Sequence, residues 1–136
     1  MTIGAATAKH LYDALNVAGV NAIVSGRIYA GAAPANATRP LVLYRRMGMP
    51  GTSVPQDRQI NMEDATYVVV GIVEGPGANW TLAEAIQSAL HGASAVVGGY
   101  TVRSSWVSSW DESWDDMGKR WSSAGGRYRV LVAAPA

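Results

Sequence analysis

The stretch from Ala65 to Gly75 reads Ala-Thr-Tyr-Val-Val-Val-Gly-Ile-Val-Glu-Gly and decides the fold. It is rich in β-branched residues, and its length suits a strand but is far too short for a membrane span. Alternate side chains of a strand point to opposite faces. The apolar residues therefore divide into two sets: Val68, Val70 and Ile72 on one face, and Tyr67, Val69 and Val73 on the other. Because both faces are apolar, we predict a central strand that needs a cover on each side.

A first amphipathic helix is predicted from Ala5 to Ala18. Leu11 and Leu15 lie four residues apart on its apolar side, and Gly19 is a natural end. The polar residues Lys9, His10 and Asp13 would point away from the core. Residues 21–25 would then form a connector.

A second helix is predicted from Leu82 to Leu90, with Ile86 between these two leucines on one stripe. Two residues could cap its N-terminus. Thr81 with Glu84 three residues later forms a capping box, and Asn79 is the rival cap.

Three further strands are predicted around the helices: Leu41 to Arg46, Tyr100 to Trp110, and Arg127 to Ala133. A short extended piece, residues 26–29, precedes the first of them. In the second, alternation would put four residues on one face: Tyr100, Val102, Trp106 and Trp110. Acidic residues 111–119 and the pair Gly125-Gly126 would form turns between the last two strands.

The order of helix, strands, helix and strands, with hairpin-like turns, predicts the α+β class. We expect residues 1–136 to form a single domain: a single-layer antiparallel sheet of four to five strands with two helices on one face. Two helices cover only that face. Charged residues make up only 15% of the chain, and five tryptophans are present. The second apolar face is therefore expected to meet a partner subunit.

The segment from Met47 to Asp64 is longer than an ordinary connection. Its Gly and Pro residues are typical of a loop, whereas residues 59–62 alternate weakly between polar and apolar. A disordered loop and a projecting hairpin arm that makes contacts both remain open.

Composition excludes several classes of function. The net charge of +1 argues against a chain that binds nucleic acid or an anionic membrane through overall charge. The absence of cysteine excludes disulfides and thiolate chemistry. The N-terminus lacks a basic start followed by an apolar core, so we expect no signal peptide.

Two clusters suggest sites and have plainer explanations. The acidic cluster at residues 111–116 could hold a divalent metal, but its spacing does not fit a calcium loop, and a solvated turn or an inter-subunit salt-bridge surface is favoured. The tryptophans could stack on sugars or single-stranded bases. Their nearest charges are acidic, however, so we favour core packing for Trp106 and interface anchoring for Trp110 and Trp114.

No pattern in the sequence indicates catalysis. His10 and His91 are accompanied by no nucleophile or carboxylate pattern. Gly75-Pro76-Gly77 lacks the Lys and the Ser or Thr of a phosphate-binding loop. We therefore expect neither an enzyme nor a bound cofactor or metal.

The layout of the chain resembles the tail completion or tail terminator proteins of long-tailed phages, also called tail-to-head joining proteins. The resemblance spans nearly the whole chain and depends on the order of short motifs. These are an N-terminal helix ending near Leu15, then Gly26-Arg27-Ile28-Tyr29, a small-residue loop ending in Arg39-Pro40, the strand Leu41-Val42-Leu43-Tyr44, the long loop, the valine-rich strand and the helix ending at Leu90. The Trp-rich acidic segment 106–121 does not contribute to this resemblance.

This resemblance implies a structural virion protein rather than an enzyme. Such proteins form a ring, typically a hexamer, at the head-proximal end of the tail tube. The ring ends tail growth and joins the tail tube protein to the head-tail connector, and DNA passes through its channel without sequence-specific binding. It would be made in the cytoplasm of the bacterial host and would not contact a membrane. The alternatives are another ring-forming neck or tail-tube protein and, with less support, a Trp-based binding module.

The physical hypothesis is a head-to-tail interface between copies, in which arginines of one copy meet acidic residues of the next. The expected interface residues are Arg45, Arg46, Arg58, Trp110, Asp111, Glu112, Trp114, Asp115, Asp116, Arg127 and Arg129.

Overall fold

A computed structural model of the chain describes residues 2–34, 36–47, 62–75, 77, 79–116 and 118–133. These residues form three helices: α1 (Ile3–Leu15), α2 (Ala18–Val24) and α3 (Trp80–Leu90). They also form six strands: β1 (Ile28–Ala30), β2 (Leu41–Arg46), β3 (Met62–Glu74), β4 (Ser94–Val97), β5 (Tyr100–Asp116) and β6 (Lys119–Ala133).

The strands form one sheet in the order β1-β2-β3-β6-β5-β4. β1 and β2 are parallel, and the other neighbours are antiparallel. The predicted α+β class is confirmed. The expected four to five strands and two helices fall short of the six strands and three helices of the described residues, and the parallel pair shows that the sheet is not purely antiparallel.

The extra helix, α2, lies where a connector was predicted. Gly19 does not end α1; it lies inside α2, whereas α1 ends at Leu15. A glycine inside a helix costs about 1 kcal/mol relative to alanine. Full burial of Val20 and Val24 from the same short helix more than offsets this cost.

The predicted division of β3 into two apolar faces is confirmed. Tyr67 and Val69 belong to the main core beneath the three helices, on what we call the helical face. Val68, Val70 and Ile72 belong to a second buried cluster on the opposite side, the helix-free face. Between Val69 and Val73, Gly71 provides the space in which α3 rests on the sheet. A Cβ atom added at Gly71 would overlap Cγ and Cδ2 of Leu82.

The histidine of α1 points inward, contrary to the sequence expectation. His10 is 2% exposed, and its Nε2 lies 3.1 Å from Oγ of the fully buried Ser104. The Ser104 hydroxyl donates to the backbone carbonyl of Leu90 at 2.7 Å. It therefore accepts its other hydrogen bond from His10, and the two side chains tie α1, α3 and β5 together. The buried side of α1 therefore includes His10 as well as the two leucines. A polar side chain can be buried there because it is hydrogen-bonded.

The N-terminus of α3 begins with the rival cap. The Asn79 side-chain oxygen accepts from the backbone N–H of Leu82 at 3.0 Å, so Asn79, and not Thr81, is the N-cap residue.

The last two strands are much longer than predicted. β5 continues through the expected acidic turn to Asp116, and β6 begins at Lys119. Gly125 and Gly126, expected to form a turn, pair in mid-strand with both β3 and β5. A Cβ at Gly125 would overlap the carbonyl oxygen of Val69. These glycines therefore permit a close approach of neighbouring strands rather than a reversal of the chain.

The pairing of β5 with β6 contains a bulge. Trp106 pairs with Tyr128 and Ser108 pairs with Arg127, so Val107 is an extra residue. Because side chains alternate with a period of two, one extra residue turns every later side chain to the other face. Before the bulge the even-numbered Val102 faces the helices; after it Trp110 lies on the helix-free face. The prediction that these two residues share a face is therefore wrong.

Replacement of Gly71 by alanine tests the packing of α3 on β3. We expect Gly71→Ala to lower the free energy of unfolding by about 1–3 kcal/mol, because the added Cβ would overlap the fully buried side chain of Leu82, which would have to shift within the core. Gly19→Ala is the matched control: nothing lies within 4 Å of its added Cβ, and a helical alanine should be neutral or slightly stabilising. Urea denaturation measures both. Equal stability of the two variants would contradict the packing described here.

The buried histidine makes stability depend on pH. Desolvation lowers the pKa of His10 below its ordinary value of 6.5, against the opposing charge of Asp13. The unfolded chain therefore binds a proton more readily than the folded chain, and stability should fall as the pH decreases below about 6.5. Urea denaturation at about pH 7.5 and about pH 5.5 measures the change, and His10→Gln should make it smaller. If the stability of His10→Gln changes between the two pH values as much as that of the wild type, other groups cause the pH dependence.

Candidate functional site

The helix-free face is covered by the chain itself. The buried cluster of Leu41, Val68, Val70 and Ile72 is at most 7% exposed. The side chains that pack against it include Ala33 and Ala37 from the β1–β2 loop and Trp110 and Trp114 from β5. The expectation that this part of the sheet needs a partner subunit is therefore wrong. The sequence did not reveal this cover because the bulge at Val107 sends the tryptophans to this face.

Trp110 reaches the centre of the sheet across a glycine. Gly125 lies between Trp110 and Val70 in the strand register, with no side chain to hold the indole away from the valine. The guanidinium of Arg127 lies 5.5 Å from the ring centre of the same indole. Trp110 therefore contacts both the apolar cluster and a cation.

Arginines surround this apolar cluster at one end of the helix-free face. Arg45 and Arg127 both pair with Val68, one from each neighbouring strand, and Arg129 follows two residues further along β6. Arg103 shares this face because it pairs with Leu131 before the bulge. All four side chains are exposed. We call them the arginine patch: Arg45, Arg103, Arg127 and Arg129.

The members of the arginine patch differ in their contacts. Nη2 of Arg129 lies 2.6 Å from Oδ2 of Asp64, and the hydrogen bond to this carboxylate raises the pKa of Arg129. Arg46, the neighbour of Arg45, pairs with Tyr67 and therefore points to the helical face. Arg58 lies outside the described residues. Arg103 was not among the predicted interface residues, although its place on the solvent side of β5 is visible in the alternation of residues 101–105.

The acidic residues lie at the far end of the β5–β6 hairpin. Asp111, Glu112, Asp115 and Asp116 are all exposed, and we call them the acidic tip. Strand alternation divides them between the two faces, with Glu112 and Asp116 on the side of Trp110. Asp115 pairs with Arg120 across the hairpin at 3.2 Å. In the described part of the chain, no group of three or more His, Asp and Glu residues is arranged to hold a metal ion.

The arginine patch and the acidic tip lie at different places along the β5–β6 hairpin. Arg127 pairs with Ser108, whereas Asp111 lies three residues and Asp116 eight residues further along β5. At about 3.3 Å per residue, the distance from Arg127 along the strand is about 10 Å to Asp111 and about 26 Å to Asp116. Each molecule therefore presents a positive and a negative surface at different places.

A groove of about 980 Å³ lies between the β1–β2 loop and the base of the acidic tip. Trp114, Trp121 and Arg39 line it, and the Arg39 guanidinium lies 4.4 Å from the ring centre of Trp121. The face of Trp121 is thus already covered, and Trp110 and Trp114 pack on the core. Trp106, for which core packing was predicted, is 38% exposed. This arrangement does not favour a set of stacking platforms for sugars or bases.

The histidines have structural partners. His10 and Ser104 form a buried pair in which the serine proton is donated to Leu90, so the hydroxyl is not activated by the imidazole. Nδ1 of His91 accepts the backbone N–H of Trp106 at 3.1 Å. These contacts join elements of the fold.

The described residues form a small α+β protein that carries separate positively and negatively charged surfaces. Residues 9–133 match the model of a family described as Tail completion protein gp17, and the chain belongs to this family. The family places the chain among the structural proteins of phage tails, and hence in the virion. Comparison with the curated proteins gave no match.

No helix in the described ranges is long and apolar enough to span a bilayer.

Truncation of Trp110 tests whether the chain covers its own helix-free face. We expect Trp110→Ala to lower the free energy of unfolding by about 2 kcal/mol, because Val68 and Val70 lose their cover. Trp80→Ala is the control, since Trp80 is 48% exposed at the start of α3. Urea denaturation of the isolated chain measures both variants. If the two lose equal stability, Trp110 does not cover the core.

Proposed function

We propose that the protein forms a closed ring at the head-proximal end of the phage tail tube, ends tube growth and joins the tail to the head. The observation that supports the proposal is that the arginine patch and the acidic tip lie at different places on the same subunit. The chain belongs to a tail completion family. A head-to-tail contact that joins two different surfaces can repeat around a ring. A contact between identical surfaces would stop at a dimer.

In this ring the acidic tip of one subunit contacts the arginine patch of the next. Arg45 and Asp116 are exposed, so neither must leave a buried site to reach a neighbour. Arg129 and Asp115 already have partners within the chain, Asp64 and Arg120, and would form extended charge networks in the assembly. Single exposed ion pairs contribute little, so the contact depends on several pairs repeated at each interface.

The proposal includes the wider assembly. The ring is a hexamer whose other contacts are the tail tube protein on one side and the head-tail connector on the other. DNA passes through its channel without sequence-specific binding. Each subunit is one domain, acts as a structural part and not as an enzyme, and is made in the cytoplasm of the bacterial host. Another ring-forming position in the neck or tube would use the same subunit contact.

A charge swap tests this contact. We expect Asp116→Lys to weaken self-association about tenfold, because attraction to the arginine patch becomes repulsion. Adding Arg45→Glu in the same chain should restore association, since each interface again joins opposite charges. Sedimentation velocity and negative-stain images of the full chain measure assembly.

Glu84→Lys is the control for this experiment. It makes the same change of charge at an exposed position on α3, away from both surfaces. Assembly should be the same as that of the wild type. If Asp116→Lys and Glu84→Lys behave alike, or if Arg45→Glu does not rescue, then the tip and the patch do not form the contact.

A further inference from the structure

Among the described residues, no strand lies beside the outer edge of β5 over most of its length. β4 pairs only with residues 100–103 of β5. The backbone groups that follow on this edge still have hydrogen-bond partners. The backbone of Ser104 is hydrogen-bonded to Gly92 and Ala93, and the Trp106 N–H donates to His91. Beyond them, no described residue pairs with the outer side of Val107 to Asp116. Ten residues of strand extend for about 33 Å.

The direction of the free backbone groups follows from these contacts. Ser104 and Trp106 direct their N–H groups away from β6. The extra residue at Val107 changes the alternation from even to odd numbers. Ser109, Asp111, Ser113 and Asp115 therefore present their N–H and C=O groups outward. An edge of this kind is a template for another strand.

The charges on this edge exclude a second copy of the same edge. Two β5 edges placed side by side would bring the carboxylates of each acidic tip close to those of the other. Like charges opposite each other destabilise a strand pair. The edge therefore favours a neutral or basic strand.

The other end of the sheet offers such a strand. The strand order places β1 at that edge, and β1 covers only Val42 to Tyr44 of β2. β2 then extends past β1 to Arg45 and Arg46. The β5 edge of the sheet is thus acidic, and the β1–β2 edge ends in two arginines. A sheet has only these two edges, and joining them is the head-to-tail relation that a ring requires.

We propose that residues 107–116 of β5 add a strand to the β1–β2 edge of a second copy, so that the sheet continues from subunit to subunit. The inference rests on the ring of the proposed function and gives its contact a backbone component. Backbone hydrogen bonds supply affinity in strand addition, and the charges set the partner edge and its direction.

A proline at an outward position tests the edge. Ser113→Pro removes one outward N–H and leaves the β5–β6 hydrogen bonds in place, because proline is tolerated where the N–H of an edge strand faces solvent. We expect it to weaken assembly at least tenfold in sedimentation velocity. Ser113→Ala is the matched control, since it keeps the N–H, and it should assemble like the wild type. A circular dichroism melting curve shows that each variant is folded.

Cysteine cross-linking identifies the partner edge. The chain has no cysteine of its own, so single introduced thiols report one position each. We expect Ser113→Cys mixed with Ala30→Cys, on β1, to give a covalent dimer with a short bismaleimide reagent. Ser113→Cys alone should give little, and Ser113→Cys mixed with Ser88→Cys, on the exposed side of α3, should give none above background.

The outcomes separate this inference from the proposed function. If the wild type forms rings and Ser113→Pro does so equally well, the edge is not the contact, and the ring proposal stands. A dominant cross-link of Ser113→Cys to itself would also overturn the inference. If the wild-type chain never forms rings, both proposals fail.

Discussion

The packing of Trp110 on the buried cluster of Leu41, Val68, Val70 and Ile72 is the interaction on which the rest of the structure depends. β3 is apolar on both faces, and an exposed row of valines would leave the subunit prone to aggregation. The three helices cover one face. Indole rings from the same chain cover the other face, so this part of the sheet is buried without a neighbouring subunit. Its remaining outer surface is free to carry charge.

The bulge at Val107 makes that contact possible and has a second effect. Without the extra residue, Trp110 would lie on the helical face with Val102, and the valines beneath it would be bare. The same change of alternation determines which backbone groups of β5 point outward. One inserted residue thus closes the core and also defines the free edge of the sheet. The cover of the core and the outward edge of β5 are therefore coupled through a single local irregularity.

Much of the fold could be predicted from the sequence because its signals were local. The two faces of β3 and the helix ending at Leu90 both follow from the periodicity of apolar residues. The charged residues 111–116 were identified, but as a turn. A strand whose side chains are polar on both faces carries no apolar alternation, so nothing local distinguished it from a loop.

The remaining errors have physical causes that lie outside short windows of sequence. The inward direction of His10 depends on Ser104, ninety-four positions later in the chain. The buried position of Gly125 depends on two strands that approach it from either side. The bulge itself has no motif. Family membership was recognisable from the order of motifs, whereas the arrangement of patch and tip required the register of the strands.

The distance between the arginine patch and the acidic tip has a kinetic consequence that the net charge of +1 conceals. Arg127 and Asp116 lie about 26 Å apart along the hairpin, which is several Debye lengths at physiological ionic strength, where that length is about 8 Å, so these two charges do not neutralise each other. The subunit therefore carries unlike charges at different places and almost no net charge. Such molecules repel one another little at long range, yet at short range each rotates its neighbour into line. In the proposed head-to-tail ring, copies that collide would be oriented before they touch, and an early oligomer would grow in one direction.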